Sequence, residues 1–110
     1  MAAVWCFEKG AYALAAEAGR ASVGLHPDPV AWSNLGAAVE RLHRPAEARR
    51  AYERALDLDP VNVQALYNLG AACWSVKDAA CAEDAWARYL ILKPDDAVVQ
   101  AFFERARRSR

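Results

Sequence analysis

Apolar residues along this 110-residue chain recur at helical spacing, and the whole arrangement appears twice. Trp32, Leu35, Val39 and Leu42 fall at i, i+3, i+7 and i+10, and Leu66, Leu69, Cys73 and Val76 repeat that stripe. A second stripe, Ala48, Ala51, Tyr52, Ala55 and Leu58, returns as Ala82, Ala85, Trp86, Tyr89 and Leu92. Corresponding residues lie 34 apart, as do Pro60 and Pro94. Pro45 suits the first turn of one second helix, Asp78 suits the N-cap of the other, and Pro60 and Pro94 stop both. Each unit therefore reads as a helix-turn-helix hairpin.

The phrase Asn-Leu-Gly-Ala-Ala occurs at Asn34–Ala38 and again at Asn68–Ala72. Its glycine stands mid-helix, where it is unfavourable by roughly 1 kcal/mol against alanine. Using it twice implies a close helix contact, with Ala48 and Ala82 as the small residues expected to meet Gly36 and Gly70.

These residues resemble the tetratricopeptide repeat family, whose pattern is W-x2-L-G-x2-Y, then A-x3-F, then P. The chain carries Trp32-x2-Leu35-Gly36-x2-Val39, Ala48-x3-Tyr52 and Pro60, then Leu66-x2-Leu69-Gly70-x2-Cys73, Ala82-x3-Trp86 and Pro94. Both copies lack the tyrosine after the glycine. The resemblance implies an all-α superhelical solenoid of antiparallel hairpins. Its expected division is a partial repeat over 1–28, repeats over 29–62 and 63–96, and a capping helix over 97–110. In the partial repeat a short helix from about Ala2 to Lys9 is expected to turn at Gly10. A second helix then runs from Tyr12 toward Pro27. The last helix has an apolar side, an acidic start at Asp95 and Asp96 and an arginine-rich end, which suits the helix dipole.

In the resembled family the first helices line a concave groove that binds a peptide or protein segment. Helical geometry places Ser33, Asn34, Ala37 and Arg41 beside the packing stripe of one first helix. Gln64, Tyr67, Asn68, Ala71 and Trp74 take that place on the next, Phe102 and Arg105 on the last, and Val4, Phe7 and Glu8 on the incomplete first one. The asparagines offer donors and an acceptor to an extended backbone, the alanines keep the floor low, and the aromatics are rigid anchors. Chaperone-tail binders of this family need cations and a second asparagine where this chain has Val4, or Ser33, Ala37, Val98 and Phe102. The expected function is thus a protein-binding adaptor of another specificity. The incomplete N-terminal repeat also carries Val4, Trp5, Phe7 and Glu8, and Val4, Trp5 and Phe7 suggest an alternative role as an edge for self-association or for stacking on the rest of a longer array.

Composition narrows the picture further. Fourteen basic residues balance fourteen acidic ones, and 26 residues are alanine, so charge argues for neither nucleic acid nor membrane. Four arginines between Arg105 and Arg110 read as a solvated helix end. No apolar run approaches the ~20 residues of a membrane span, and the N-terminus lacks a basic start for a secretory signal. His26 and His43 stand outside any metal-binding spacing and read as turn residues, and no glycine-rich phosphate loop occurs. Neither catalysis nor a cofactor is expected. Three scattered cysteines, Cys6, Cys73 and Cys81, fit reduced thiols in a cytoplasmic setting, with Cys6 and Cys73 as small buried hydrophobes.

Overall fold

The computed structural model describes the backbone of residues 2–109 and the side chains of residues 10–109. Six helices follow one another: α1 Ala2–Leu25, α2 Pro29–Arg41, α3 Pro45–Leu58, α4 Val63–Ser75, α5 Ala79–Leu92 and α6 Ala97–Arg108. Among the described residues there is no strand. Each helix packs on the next in sequence, and α2 also touches α4, so the chain winds as an all-α superhelix.

The helix starts explain the period. Asp28, Asn62 and Asp96, each 34 residues after the last, cap α2, α4 and α6. Their side chains accept backbone N–H groups: Val30 at 2.8 Å from Asp28, Ala65 at 3.1 Å from Asn62 and Val99 at 3.1 Å from Asp96. Asp78 caps α5 through the Cys81 N–H, while α3 starts on Pro45 with no side-chain cap. The α2–α3 and α4–α5 turns are built alike. His43 and Lys77 take left-handed φ values of 61° and 63°. The next residues, Arg44 and Asp78, donate N–H to the Val39 and Cys73 carbonyls at 3.1 and 2.9 Å. This is the Schellman arrangement, here without glycine.

The core is one continuous cluster in which Val39, Tyr52, Leu66, Cys73 and Val99 are fully buried. The two glycines of the repeated phrase are filled by a partner other than the one expected. A Cβ on Gly36 would stand 2.6 Å from Tyr52 Cε1, and one on Gly70 would stand 2.5 Å from Trp86 Cδ1. The aromatic of the second helix, not Ala48 or Ala82, lies across the first helix at that point.

Three other expectations are corrected. α1 is one helix through Gly10, whose φ is not positive, so there is no turn after Lys9. An alanine-rich flank of Ala11, Ala13, Ala15, Ala16 and Ala18 carries the helix across a single weak residue. Leu58 and Leu92 end their stripes in solvent, at 49% and 41% exposed, and Leu56 takes the buried place on α3. Cys73 and Cys81 are joined as a disulfide across the α4–α5 turn instead of remaining thiols. Val4, Trp5, Cys6, Phe7 and Glu8 have side chains outside the described residues, so the self-association edge is not placed.

The glycine seats predict contrasting alanine scans. Gly70→Ala drives a methyl into a Trp86 ring that is 4% exposed, and net destabilisation of about 1–3 kcal/mol is expected in urea unfolding. Gly10→Ala meets nothing within 4 Å, and gains up to about 1 kcal/mol because the residue is helical. A loss of stability at Gly10 would contradict the continuous α1.

Candidate functional site

Aromatic rings gather where α4, α5 and α6 meet. The Tyr67 ring lies 6.1 Å from Tyr89 and 6.4 Å from Phe102, between centroids. Trp86 lies 5.4 Å from Phe102 and 6.3 Å from Trp74. All four pairs are tilted, within the range where ring quadrupoles attract. Around them opens a cavity of about 270 Å³ lined by Tyr67, Ala71, Trp74, Ser75, Trp86, Phe102 and Arg105. Trp74 and Ser75 are shared with a second hollow of about 440 Å³ that reaches Lys77, Ala79 and Ser109.

Local structure sets each wall. Tyr67, Ala71 and Trp74 are at i, i+4 and i+7 on α4 and so form one face. Phe102 and Arg105 are an i, i+3 pair on α6. Trp86 reaches the same space from α5 because Gly70 lets its indole cross α4, where its N–H donates to the Tyr67 carbonyl at 3.3 Å. Arg105 is exposed and has no carboxylate at ion-pair distance among the described residues.

Of the residues expected to line a groove, five thus meet in one cavity: Tyr67, Ala71, Trp74, Phe102 and Arg105. Asn68 is half-buried and Gln64 exposed on α4 beside it. Asn34, Ala37 and Arg41 are exposed on α2, away from the cavity, and the Arg41 guanidinium lies 5.8 Å from the centre of the Tyr12 ring of α1. Neither Asn34 nor Asn68 spends its amide on a hydrogen bond within the described residues. Ser33 does not face an open groove. It is 6% exposed, with an Oγ that has no partner. Sequence reasoning missed Trp86, Ser75 and Tyr12. The signal for Trp86 was present, since each repeat places an aromatic sixteen residues after its glycine: Tyr52 after Gly36, Trp86 after Gly70.

The preceding hairpin answers the same geometry with polar groups. Tyr52 donates its hydroxyl to Glu40 at 3.3 Å, at the positions where the next repeat has Trp86 and Trp74. Burial pushes the Glu40 carboxyl above the usual carboxylate range, with the Tyr52 hydrogen bond acting against it. The Tyr52 hydroxyl is likewise held well above the ordinary phenol value, first by burial and then by the Glu40 charge. On the far side Tyr89 donates to Asp96 at 2.7 Å, tying the last turns of α5 to the cap of α6. That hydrogen bond, with the Val99 N–H, holds the Asp96 carboxyl below its ordinary value. Among the described residues no group of three His, Cys, Asp or Glu is arranged to hold a metal ion, and no helix is long and apolar enough to cross a membrane.

The tetratricopeptide repeat family model matches residues 33–97, more than half of the chain. Among curated proteins the chain is similar to the peroxisomal targeting signal receptor of Candida albicans, 40% identical over 65 residues, 56% of this chain and 11% of that protein. The Saccharomyces cerevisiae receptor is 41% identical over 56 residues, 48% of this chain and 9% of that protein. The chain therefore spans about a tenth of the length of these relatives. Among solved structures it is similar to the first TPR domain of Spaghetti bound to an HSP90 peptide. The TM-score is 0.82 at 23% identity, covering 94% of this chain and 85% of that one. A yeast TPR2B domain in a pHsp70 complex gives 0.79 at 22%, covering 94% and 89%.

The Asp96 linkage has a definite sign. A carboxyl whose folded pKa is lowered contributes stability that is present above its unfolded value of 3.8 and is lost as pH falls through the folded value. Asp96→Asn keeps a capping side chain, as Asn62 does on α4. It is therefore expected to be less stable than the parent at pH 7, the two Tm curves converging as pH drops below the carboxylate range. Parallel curves at all pH values would show that the charge contributes nothing.

Proposed function

The chain belongs to the tetratricopeptide repeat family, and from that premise we propose that it is a binding module for a peptide or protein segment. The segment lies along the concave side of α2, α4 and α6. It places one large apolar side chain in the cavity between Tyr67, Trp74, Trp86 and Phe102. The observation that carries this reading is the cavity itself, where rings from three helices leave an apolar hollow open beside the exposed Arg105. Filling it with a leucine- or phenylalanine-sized group removes apolar surface from water, worth about 1.5–3 kcal/mol. Asn68 and Asn34, whose amides have no hydrogen bond among the described residues, serve the backbone of the segment, and Arg41 and Arg105 favour acidic residues near its two ends.

The relatives support this class of function. One structural neighbour holds an HSP90 peptide, and the curated relatives are receptors for a targeting signal by name. The specificity proposed here differs from that of chaperone-tail binders, because Val98 and Phe102 stand where those need charged or amide groups. The role proposed is that of an adaptor, the class of function that its family and its named relatives carry.

Capture from native cell extract with the full chain as bait, followed by mass spectrometry, identifies the segment. Tyr67→Ala with Asn68→Ala is expected to weaken its binding at least about tenfold while circular dichroism shows the helices retained. Unchanged affinity in a folded double variant would remove the groove from consideration.

A further inference from the structure

We propose that Cys73 and Cys81 form a reversible thiol–disulfide site that clamps the α4–α5 hairpin. The two residues face each other across the turn of Val76, Lys77 and Asp78, with Cα atoms 5.7 Å apart, a separation suited to a disulfide. Cys73 is fully buried on α4, and Cys81 is half-buried in the first turn of α5.

The neighbouring hairpin shows that the bond is an addition to the fold and not a requirement of it. The positions equivalent to Cys73 and Cys81 are Val39, fully buried, and Glu47, which pairs with Arg20. That hairpin closes through the same left-handed turn residue and the same pair of turn hydrogen bonds, with no covalent tie. The α4–α5 hairpin therefore keeps its turn when the cysteines are reduced, and the sulfurs stay within reach of one another. Both states are folded, as a reversible couple requires.

Accessibility sets the order of events. A low-molecular-weight disulfide, RS–SR, reaches Cys81 and not Cys73. The Cys81 thiolate attacks one sulfur, forming the mixed disulfide and releasing RS⁻, which takes up a proton. The Cys73 thiolate then attacks Cys81 Sγ, and the second RS⁻ leaves and is protonated. Two cysteine thiols lose two electrons to form one S–S bond, one RS–SR gains them to become two RSH, and two protons pass from the cysteines to the released thiols. Reduction retraces the path, beginning with attack by a small thiolate on Cys81.

Trp74, next to Cys73, walls both hollows on this side of the chain, so the clamp stiffens that wall. The consequence for binding rests on the groove reading, whereas the exchange does not and is tested by itself.

The test uses the full chain in a Cys6→Ser background, equilibrated with mixtures of reduced and oxidised glutathione, then alkylated and peptide-mapped. The expected result is a Cys73–Cys81 link that forms and disappears reversibly with the glutathione ratio. It should raise Tm by about 10 °C. It should also slow amide exchange at Lys77 and Asp78 about tenfold or more. Cys73→Val, which copies Val39 of the neighbouring hairpin, is expected to stay folded and to stop at the mixed disulfide on Cys81. A folded chain that never forms the link, or forms one that glutathione cannot reduce, would overturn the proposal. So would Cys81 remaining glutathionylated with Cys73 intact.

Discussion

An aromatic side chain lying over a glycine is the contact on which both hairpins depend. Tyr52 crosses α2 at Gly36, and Trp86 crosses α4 at Gly70, each at a distance that any Cβ would violate. The glycine gives up roughly 1 kcal/mol of helix propensity, and in return a ring as large as indole becomes almost fully buried. The far edge of that ring then emerges on the other side of the first helix. For Trp86 packing and surface are linked, because the ring that fixes the α4–α5 hairpin also lines the cavity beside Tyr67 and Phe102. Tyr52 brings a hydroxyl there, which Glu40 accepts, and Trp86 brings an indole, which Trp74 and Phe102 cover. The aromatic of one hairpin therefore ends in a polar contact and that of the next in an aromatic one.

Neighbouring hairpins are held together by contacts that reuse the capping residues. Asp78 caps α5 and also pairs with Arg49 of α3 at 3.1 Å. Asp96 caps α6 and receives the Tyr89 hydroxyl of α5. Glu47 in the first turn of α3 pairs with Arg20 of α1. Each exposed pair is worth little alone, about 0–1 kcal/mol. Their value is directional, since a side chain that fixes a helix start also fixes where the next helix can lie. The 34-residue period of Asp28, Asn62 and Asp96 is thus a period of helix starts as much as of apolar stripes.

The repeated part was legible because every signal could be read twice. Helices α2 to α5, their proline stops and the Asp78 cap follow from spacing, while the grouping of Tyr67, Trp74, Phe102 and Arg105 on one side also needed the groove that the family resemblance implies. The region before Asp28 matches the repeat only in part, and its Gly10 has the look of a turn residue although it lies inside α1. In this chain turns are made by His43 and Lys77 in the left-handed region, while Gly10 sits in an alanine-rich helix that tolerates it. Local propensity could not separate these cases, since only the register of the hairpin decides which residue must take positive φ. The cysteine pairing was hidden for the same reason. Eight residues of separation signify nothing until the turn places the end of one helix opposite the start of the next. The seat of Trp86 needed one further step, from asking which residue is small to asking which large residue the small one admits.

Helix α6 both covers the core and walls the aromatic cavity. Val99 and Ala106 are fully buried against the preceding hairpin, so the helix closes the core beneath it. Its polar side carries Glu104 paired with Arg107, in keeping with a solvent-facing surface. Between those faces stands Phe102, half-buried, in contact with Tyr67 and Trp86 and open on its remaining edge. A helix that only shielded the core would gain by burying that edge or replacing it with a polar group. Retaining an aromatic there, with Arg105 one turn further on, leaves apolar surface and a cation adjacent at the point where three helices already converge. The same ring contacts that join α4, α5 and α6 therefore also wall the hollow.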